Sequence, residues 1–260
     1  MPSPHKARKR FGQNFLNNEQ TIQRLVSAIS PHPQDQLIEI GPGLAAMTQP
    51  LLRRVDKMEV IELDRDLVKR LQQLDPSGNK LIIHQGDALK FDFSNTPYAR
   101  RVVGNLPYNI STPIIFHLLK HLTYIVDMHF MLQKEVVDRI CARPGERNFG
   151  RLSAMVHSQC HAESLFEIQP QDFTPAPKVT SAFMRLSPHP QPLVSAHLRQ
   201  DFAQMVKLVF TQPRKTLANN LKKTLTIEQI EALDIDPSTR PQNLHIEQLI
   251  KLTKYRKEQP

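Results

Sequence analysis

The sequence predicts an α/β protein, a doubly wound and mostly parallel sheet followed by a small helical domain. Three observations carry this prediction. Short runs rich in Val and Ile alternate with stretches of helical spacing from residue 36 to residue 142. Two later apolar runs, 166–168 and 179–186, flank a proline-punctuated segment and read as an antiparallel edge hairpin. Ser187-Pro-His-Pro-Gln-Pro192 then places three prolines in five residues, which stops both helix and strand, and only helical spacing follows.

Taken in order, the strands are predicted at 36–41, 57–63, 81–86, 101–105 and 127–133, with helices at 44–54, 64–74, 111–122 and 134–142. Strand, helix, strand in this rhythm requires crossovers that cover both faces of the sheet. Asp64 is placed to cap its helix, and Ser111-Thr-Pro113 supplies a cap with proline in the first turn. Past the proline break, Ala203, Val206, Val209 and Phe210, then Leu217 and Leu221, then 227–233 and 244–252 all carry helical spacing. This divides the chain into a basic arm (1–15), an α/β domain (16–187) and a helical domain (188–260).

Composition narrows the function classes. At 260 residues, 40% hydrophobic and 23% charged, the chain can bury a sizeable core. No apolar run approaches the roughly 18 residues that span a bilayer, and the N-terminus lacks the apolar stretch of a signal peptide, so a cytoplasmic protein without a membrane partner is expected. Cys141 and Cys160 cannot build a disulfide scaffold, and the eleven histidines show no ligand spacing, so no metal is expected. The net charge of +9 points to a polyanion. Its distribution is uneven. Lys6, Arg8, Lys9 and Arg10 meet no acid in 1–15, and 188–260 hold eleven basic against seven acidic residues, so the middle is nearly neutral. Lys9 and Arg10 in the arm, with Arg214, Lys215, Lys222 and Lys223 in the helical domain, are therefore the candidate contacts to the phosphates of such a polyanion.

The chemistry lies at the strand ends. Glu39-Ile-Gly-Pro-Gly-Leu-Ala-Ala-Met-Thr48 is a glycine turn leading into a helix, where Gly41 and Gly43 allow a sharp turn and close approach of a ligand. Ala45 and Ala46 depart from the usual third-glycine patterns, so the turn alone is weak evidence. Glu62, about 20 residues on at the end of the second strand, is placed to accept from both ribose hydroxyls of an adenosine cofactor. NAD and S-adenosylmethionine both satisfy these features. Asp87, after the third strand, can accept from an adenine amino group or simply cap the next turn. Gly104-Asn-Leu-Pro-Tyr-Asn-Ile-Ser-Thr-Pro113 after the fourth strand decides for methyl transfer. An exocyclic adenine amine is a poor nucleophile because its lone pair is delocalised. The Asn105 amide oxygen and a backbone carbonyl at Leu106-Pro107 can accept its two hydrogens and localise that pair, while Tyr108 can stack on the base.

These motifs, with Arg8-Lys-Arg-Phe-Gly-Gln-Asn-Phe-Leu16, Val60-Ile-Glu-Leu-Asp64, Met131-Leu-Gln-Lys-Glu-Val136, Gly150-Arg-Leu-Ser153 and Phe173-Thr-Pro-Ala-Pro-Lys-Val179, cover nearly the whole chain. The sequence resembles the ribosomal RNA adenine N6,N6-dimethyltransferases, and within them the small-subunit branch. The resemblance implies a Rossmann-like methyltransferase domain with a seven-stranded sheet and S-adenosyl-L-methionine as cofactor. The implied substrate is a pair of adjacent adenines in the loop of the 3′-terminal hairpin of small-subunit rRNA, modified during subunit assembly. It also implies a monomer. By position, Asn14 and Leu16 would line the cofactor site, with Gly41 beside the methionine end, Glu62 on the ribose and Asp87 on the adenine. Asn105 would serve both cofactor and target amine, and Tyr108 and Phe173 would flank the target base. Without the resemblance, Phe173 reads as a hydrophobic plug. Three rivals stand beside this reading: methylation of large-subunit rRNA, methylation of DNA adenine, and an assembly factor in which catalysis is secondary.

Overall fold

The computed structural model describes residues 14–107 and 109–258, which fall into two compact units. The first takes the chain up to Val137 together with Glu163–Ser187, and the second takes Asp138–Ala162 and the chain from Pro188. The division therefore differs from a single cut after residue 187. Residues 138–162 go with the helical unit because Ala142, Phe149 and Ala154 are buried in its core, beside Phe202, Val206, Leu217 and Leu249.

In the first unit, strands β2 (Leu37–Ile40), β3 (Met58–Glu62), β4 (Leu81–Gln85), β5 (Arg100–Asn105) and β6 (Ile125–Gln133) pair in parallel. Strand β9 (Ser181–Pro188) and the edge strand β7 (Cys160–Ile168) complete a seven-stranded sheet of order β4-β3-β2-β5-β6-β9-β7, with β9 antiparallel to β6. The near-continuous burial of β2, β3 and β5 is what a strand covered on both faces requires. Strand order reverses between β2 and β5, so a crevice opens past their carboxyl ends. A second, two-stranded ladder joins β1 (Phe15–Leu16) to β8 (Phe173–Thr174).

The helices keep most of the expected register, with informative exceptions. Asp64 does cap α3 (Arg65–Gln72), accepting from the Asp66 amide at 2.9 Å. The helix expected over 44–54 is only α2 (Thr48–Leu52), because Ala45 lies at φ +67°, a left-handed conformation that a helix cannot contain. Ser111 is not a cap. It is the first residue of α4 (Ser111–Leu118), and its hydroxyl turns back to donate to the Pro107 carbonyl at 3.0 Å. Two further helices were not anticipated: α1 (Glu19–Ile29), capped by Asn18, and α6 (Arg151–His157), which follows α5 (Lys134–Cys141). The second unit adds α7 (Arg199–Val209), α8 (Leu217–Leu221), α9 (Ile227–Glu231) and α10 (Ile246–Glu258). Among the described residues, no helix is long and apolar enough to cross a membrane.

Candidate active site

The crevice past β2 and β5 holds a cavity of about 200 Å³. Its wall brings together Asn14, Leu16, Gly41, Gly43, Glu62, Asp87, Asn105, Leu106, Pro107 and Phe173, residues that span the α/β part of the sequence. The glycine turn is built for close approach. Gly41 and Gly43 lie at φ +69° and +58°, and a Cβ at Gly41 would meet no protein atom within 4 Å, so it would intrude on open space. At Gly43 a Cβ would come within 3.3 Å of the Phe15 ring, which lies over the turn.

Glu62 ends β3 with a carboxylate only 6% exposed. Its Oε1 accepts from the Asp64 amide at 2.9 Å and its Oε2 from the Gly43 amide at 3.3 Å, which orients the group across the cavity wall. Burial raises its pKa above the ordinary carboxylate range, against the lowering effect of these backbone donors. Asp87 lines the cavity and also caps the turn Ala88–Lys90, accepting from the Leu89 amide at 3.0 Å.

On the opposite strand, Asn105 ends β5, and its Nδ2 donates to the Asn14 carbonyl at 3.1 Å. The next residue is held by the sheet, since the Leu106 amide donates to the Met131 carbonyl at 3.2 Å. The Pro107 carbonyl is engaged by the Ile110 amide and the Ser111 hydroxyl. Gly104 makes this turn possible, because a Cβ there would lie 2.7 Å from the Ile40 carbonyl oxygen. Phe173 is 4% exposed, packs in the core with Leu16, Met47 and Met131, and lines the cavity.

A family model described as ribosomal RNA adenine dimethylase matches residues 4–258. The chain belongs to this family. It is 50% identical over 255 residues to the ribosomal RNA small subunit methyltransferase A of Hydrogenovibrio crunogenus, covering 96% of each chain. It is 50% identical over 258 residues to the protein of the same description from Marinomonas sp., covering 97% of this chain and 96% of that one. Among solved structures it resembles a dimethyladenosine transferase from Plasmodium falciparum, with a TM-score of 0.79, 25% identity and coverage of 92% and 95%. It also resembles the 23S rRNA methyltransferase ErmE, with a TM-score of 0.74, 25% identity and coverage of 94% and 100%. The enzyme is thus an rRNA adenine dimethyltransferase with the methyltransferase α/β fold.

Several cavity residues of the dimethylase went unassigned in the sequence. Glu39 is 2% exposed, accepts from the Thr48 hydroxyl at 2.7 Å and has its pKa pushed up to about 7 by burial. An acidic residue inside the apolar strand run Leu-Ile-Glu-Ile was the available signal. Leu63, 52% exposed beside Glu62, and Met131 also line the wall. Tyr108, Lys9 and Arg10 lie outside the described residues. Arg214, Lys215, Lys222 and Lys223 are all exposed, and among the described residues none of the four is ion-paired. Cys160 is buried, which pushes its thiol up to about 12 and keeps it protonated.

Proposed function

We propose that the enzyme dimethylates two adjacent adenines in the loop of the 3′-terminal hairpin of small-subunit rRNA, on immature small subunits, with S-adenosylmethionine as methyl donor. The supporting observation is the meeting of Asn105, the glycine turn, Glu62 and Phe173 around one cavity at the switch point of the sheet. Relatives at 50% identity over nearly the full chain are described as small-subunit methyltransferases, which favours that subunit over the large one.

The cavity suits the cofactor chemically. Glu62 offers a buried, pre-oriented acceptor for ribose hydroxyls, and Gly41 leaves room where a side chain would stand. Asp87 offers an acceptor toward the adenine, and Asn14 and Leu16 close the wall. When bound, S-adenosylmethionine supplies a methyl group on a positively charged sulfur, a good leaving group. Every other part of the reaction falls to the chain. With Nδ2 of Asn105 committed to Asn14, its Oδ1 is the atom that accepts from the target amine. The Pro107 carbonyl is already taken, so the Leu106 carbonyl is assigned the second hydrogen. Together they draw the nitrogen toward tetrahedral geometry. Phe173 flanks the base with Tyr108. The monomethylated amine still carries one hydrogen to donate, so one of the two acceptors holds it for the second transfer. The exposed basic side chains of the helical unit take the phosphates, together with Lys9 and Arg10.

Incubation with labelled S-adenosylmethionine and under-methylated small subunits tests this, followed by digestion and mapping of dimethyladenosine. Label in the two loop adenines is expected. Label confined to other nucleotides of the small-subunit rRNA, or absent, would overturn the assignment.

A further inference from the structure

Asp172 closes the short turn Pro170–Asp172 and is 8% exposed, yet it does not line the cavity. Its amide closes the turn on the Gln169 carbonyl at 3.0 Å, while both side-chain oxygens and its own carbonyl face residues 17–21. Oδ1 accepts from the Asn18 side-chain Nδ2 at 2.7 Å, Oδ2 accepts from the Thr21 hydroxyl at 3.0 Å, and its carbonyl accepts from the Asn17 backbone amide at 2.9 Å. Asn18 is fully used, because its own side-chain oxygen caps α1 through the Thr21 amide at 3.2 Å. Two side-chain donors meet the buried carboxyl group and a third bond meets its backbone carbonyl, so loss of the side chain would leave the Asn18 and Thr21 donors without their partner.

The position of this tie gives it a consequence. On its amino-terminal side the arm reaches three parts of the cavity: Asn14 holds the Asn105 amide, Phe15 lies over Gly43, and Leu16 is paired with Phe173. The ladder that carries these contacts is only two residues long on each strand, too short to be stable by itself.

We propose that Asp172 is a positioning residue for methyl transfer: it pins the root of the arm 14–18 beside Phe173, so that the Asn14 carbonyl holds the Asn105 amide in its reactive orientation. This rests on the reading of Asn105 as the group that grips the target amine. Asp172 touches neither substrate nor cofactor, and its effect reaches the chemistry through Asn105.

The test is a double-mutant cycle in the full-length enzyme, with kcat and KM measured on under-methylated small subunits. Asp172→Ala is expected to lower kcat by about 10-fold to 10²-fold, because a small misplacement of a reacting group is costly. Asp172→Asn is expected to recover most of that loss, since its oxygen still accepts from Asn18 while the Thr21 hydroxyl can turn to accept from its amide. In an Asn105→Ala background, Asp172→Ala should cost less than about threefold more, because the group it positions is gone. An equal fold-loss in both backgrounds, or an unchanged kcat in Asp172→Ala, overturns the proposal while leaving the role of Asn105 intact. If Asn105→Ala alone turns over normally, the reading of the site fails first, and the single-variant measurement reveals it. Should Asp172→Ala not fold, Thr21→Val removes one donor to the same carboxylate, and the same two-background comparison decides.

Discussion

Asn105 donates through Nδ2 to the backbone carbonyl of Asn14 at 3.1 Å, across 91 positions of sequence. A residue at the end of a central strand thus has its amide orientation set by a segment near the other end of the domain. Because the amide has distinct donor and acceptor ends, this one contact decides which atom faces the cavity.

Asn105→Asp tests that relationship with nearly unchanged shape. It replaces the donor by a second acceptor opposite the Asn14 carbonyl, so the two repel. Single-turnover methyl transfer is expected to slow on the order of 10²-fold. A rate within about threefold of the unmodified enzyme would take Asn105 out of the transfer step.

The buried carboxyl of Glu39 predicts a pH dependence of stability. Its pKa rises from 4.5 to about 7 on folding, so between those values the folded state holds more protons than the unfolded one. Its contribution is therefore fully present below about pH 4.5 and lost as pH rises through 7, a swing of order a few kcal/mol. Denaturant titrations from pH 5 to 8 on the parent and on Glu39→Gln should differ in slope, with the parent declining more steeply toward high pH. Parallel curves would show that the carboxyl ionises alike in both states.

Gly104→Ala addresses the strand turn that presents Asn105. The added Cβ would stand 2.7 Å from the Ile40 carbonyl oxygen and 3.1 Å from Leu106 Cδ2. Two strands of the central sheet must then separate, at a cost of about 1–3 kcal/mol. Thermal unfolding should drop by several degrees and methyl transfer should weaken with it. An unchanged melting temperature would mean that β2 and β5 are not in tight contact there.

The exposed basic residues that flank α8 predict a salt effect. Replacing Arg214, Lys215, Lys222 and Lys223 by Gln should lower the slope of log affinity against log salt by up to about 3, if each meets one phosphate. Turnover at saturating subunit should be preserved. A slope identical to that of the parent would make these side chains ordinary solvated surface.

How far the sequence could be read depended on how local the cause was. The parallel strands were legible because Val- and Ile-rich runs of strand length between helical stretches have no other compact use. Asp64 was legible as a cap because its partner is two residues away. Ser111 was misread for the opposite reason: a serine before a helical run looks like a cap, and only the fold of the Asn-Leu-Pro-Tyr turn gives its hydroxyl a carbonyl to bind. The helix α2 lost its first turn to the positive φ of Ala45, a conformation that composition does not announce in a residue other than glycine. The apolar spacing of Leu25, Val26 and Ile29 in α1 was present in the sequence and went unused.

By itself, the sequence determined the α/β class, the helical appendage and the kinds of side chain that amino-group methylation needs, because strand period, proline breaks and short motifs are local signals. The tertiary structure decided what those side chains face. It assigned residues 138–162 to the helical unit, turned Glu39 toward the cavity and joined Asn14 to Asn105. It also tied Asn18 and Thr21 to Asp172, more than 150 residues away. Such pairings depend on which groups the packed core brings together and leaves without water, and neither separation along the chain nor residue type encodes that.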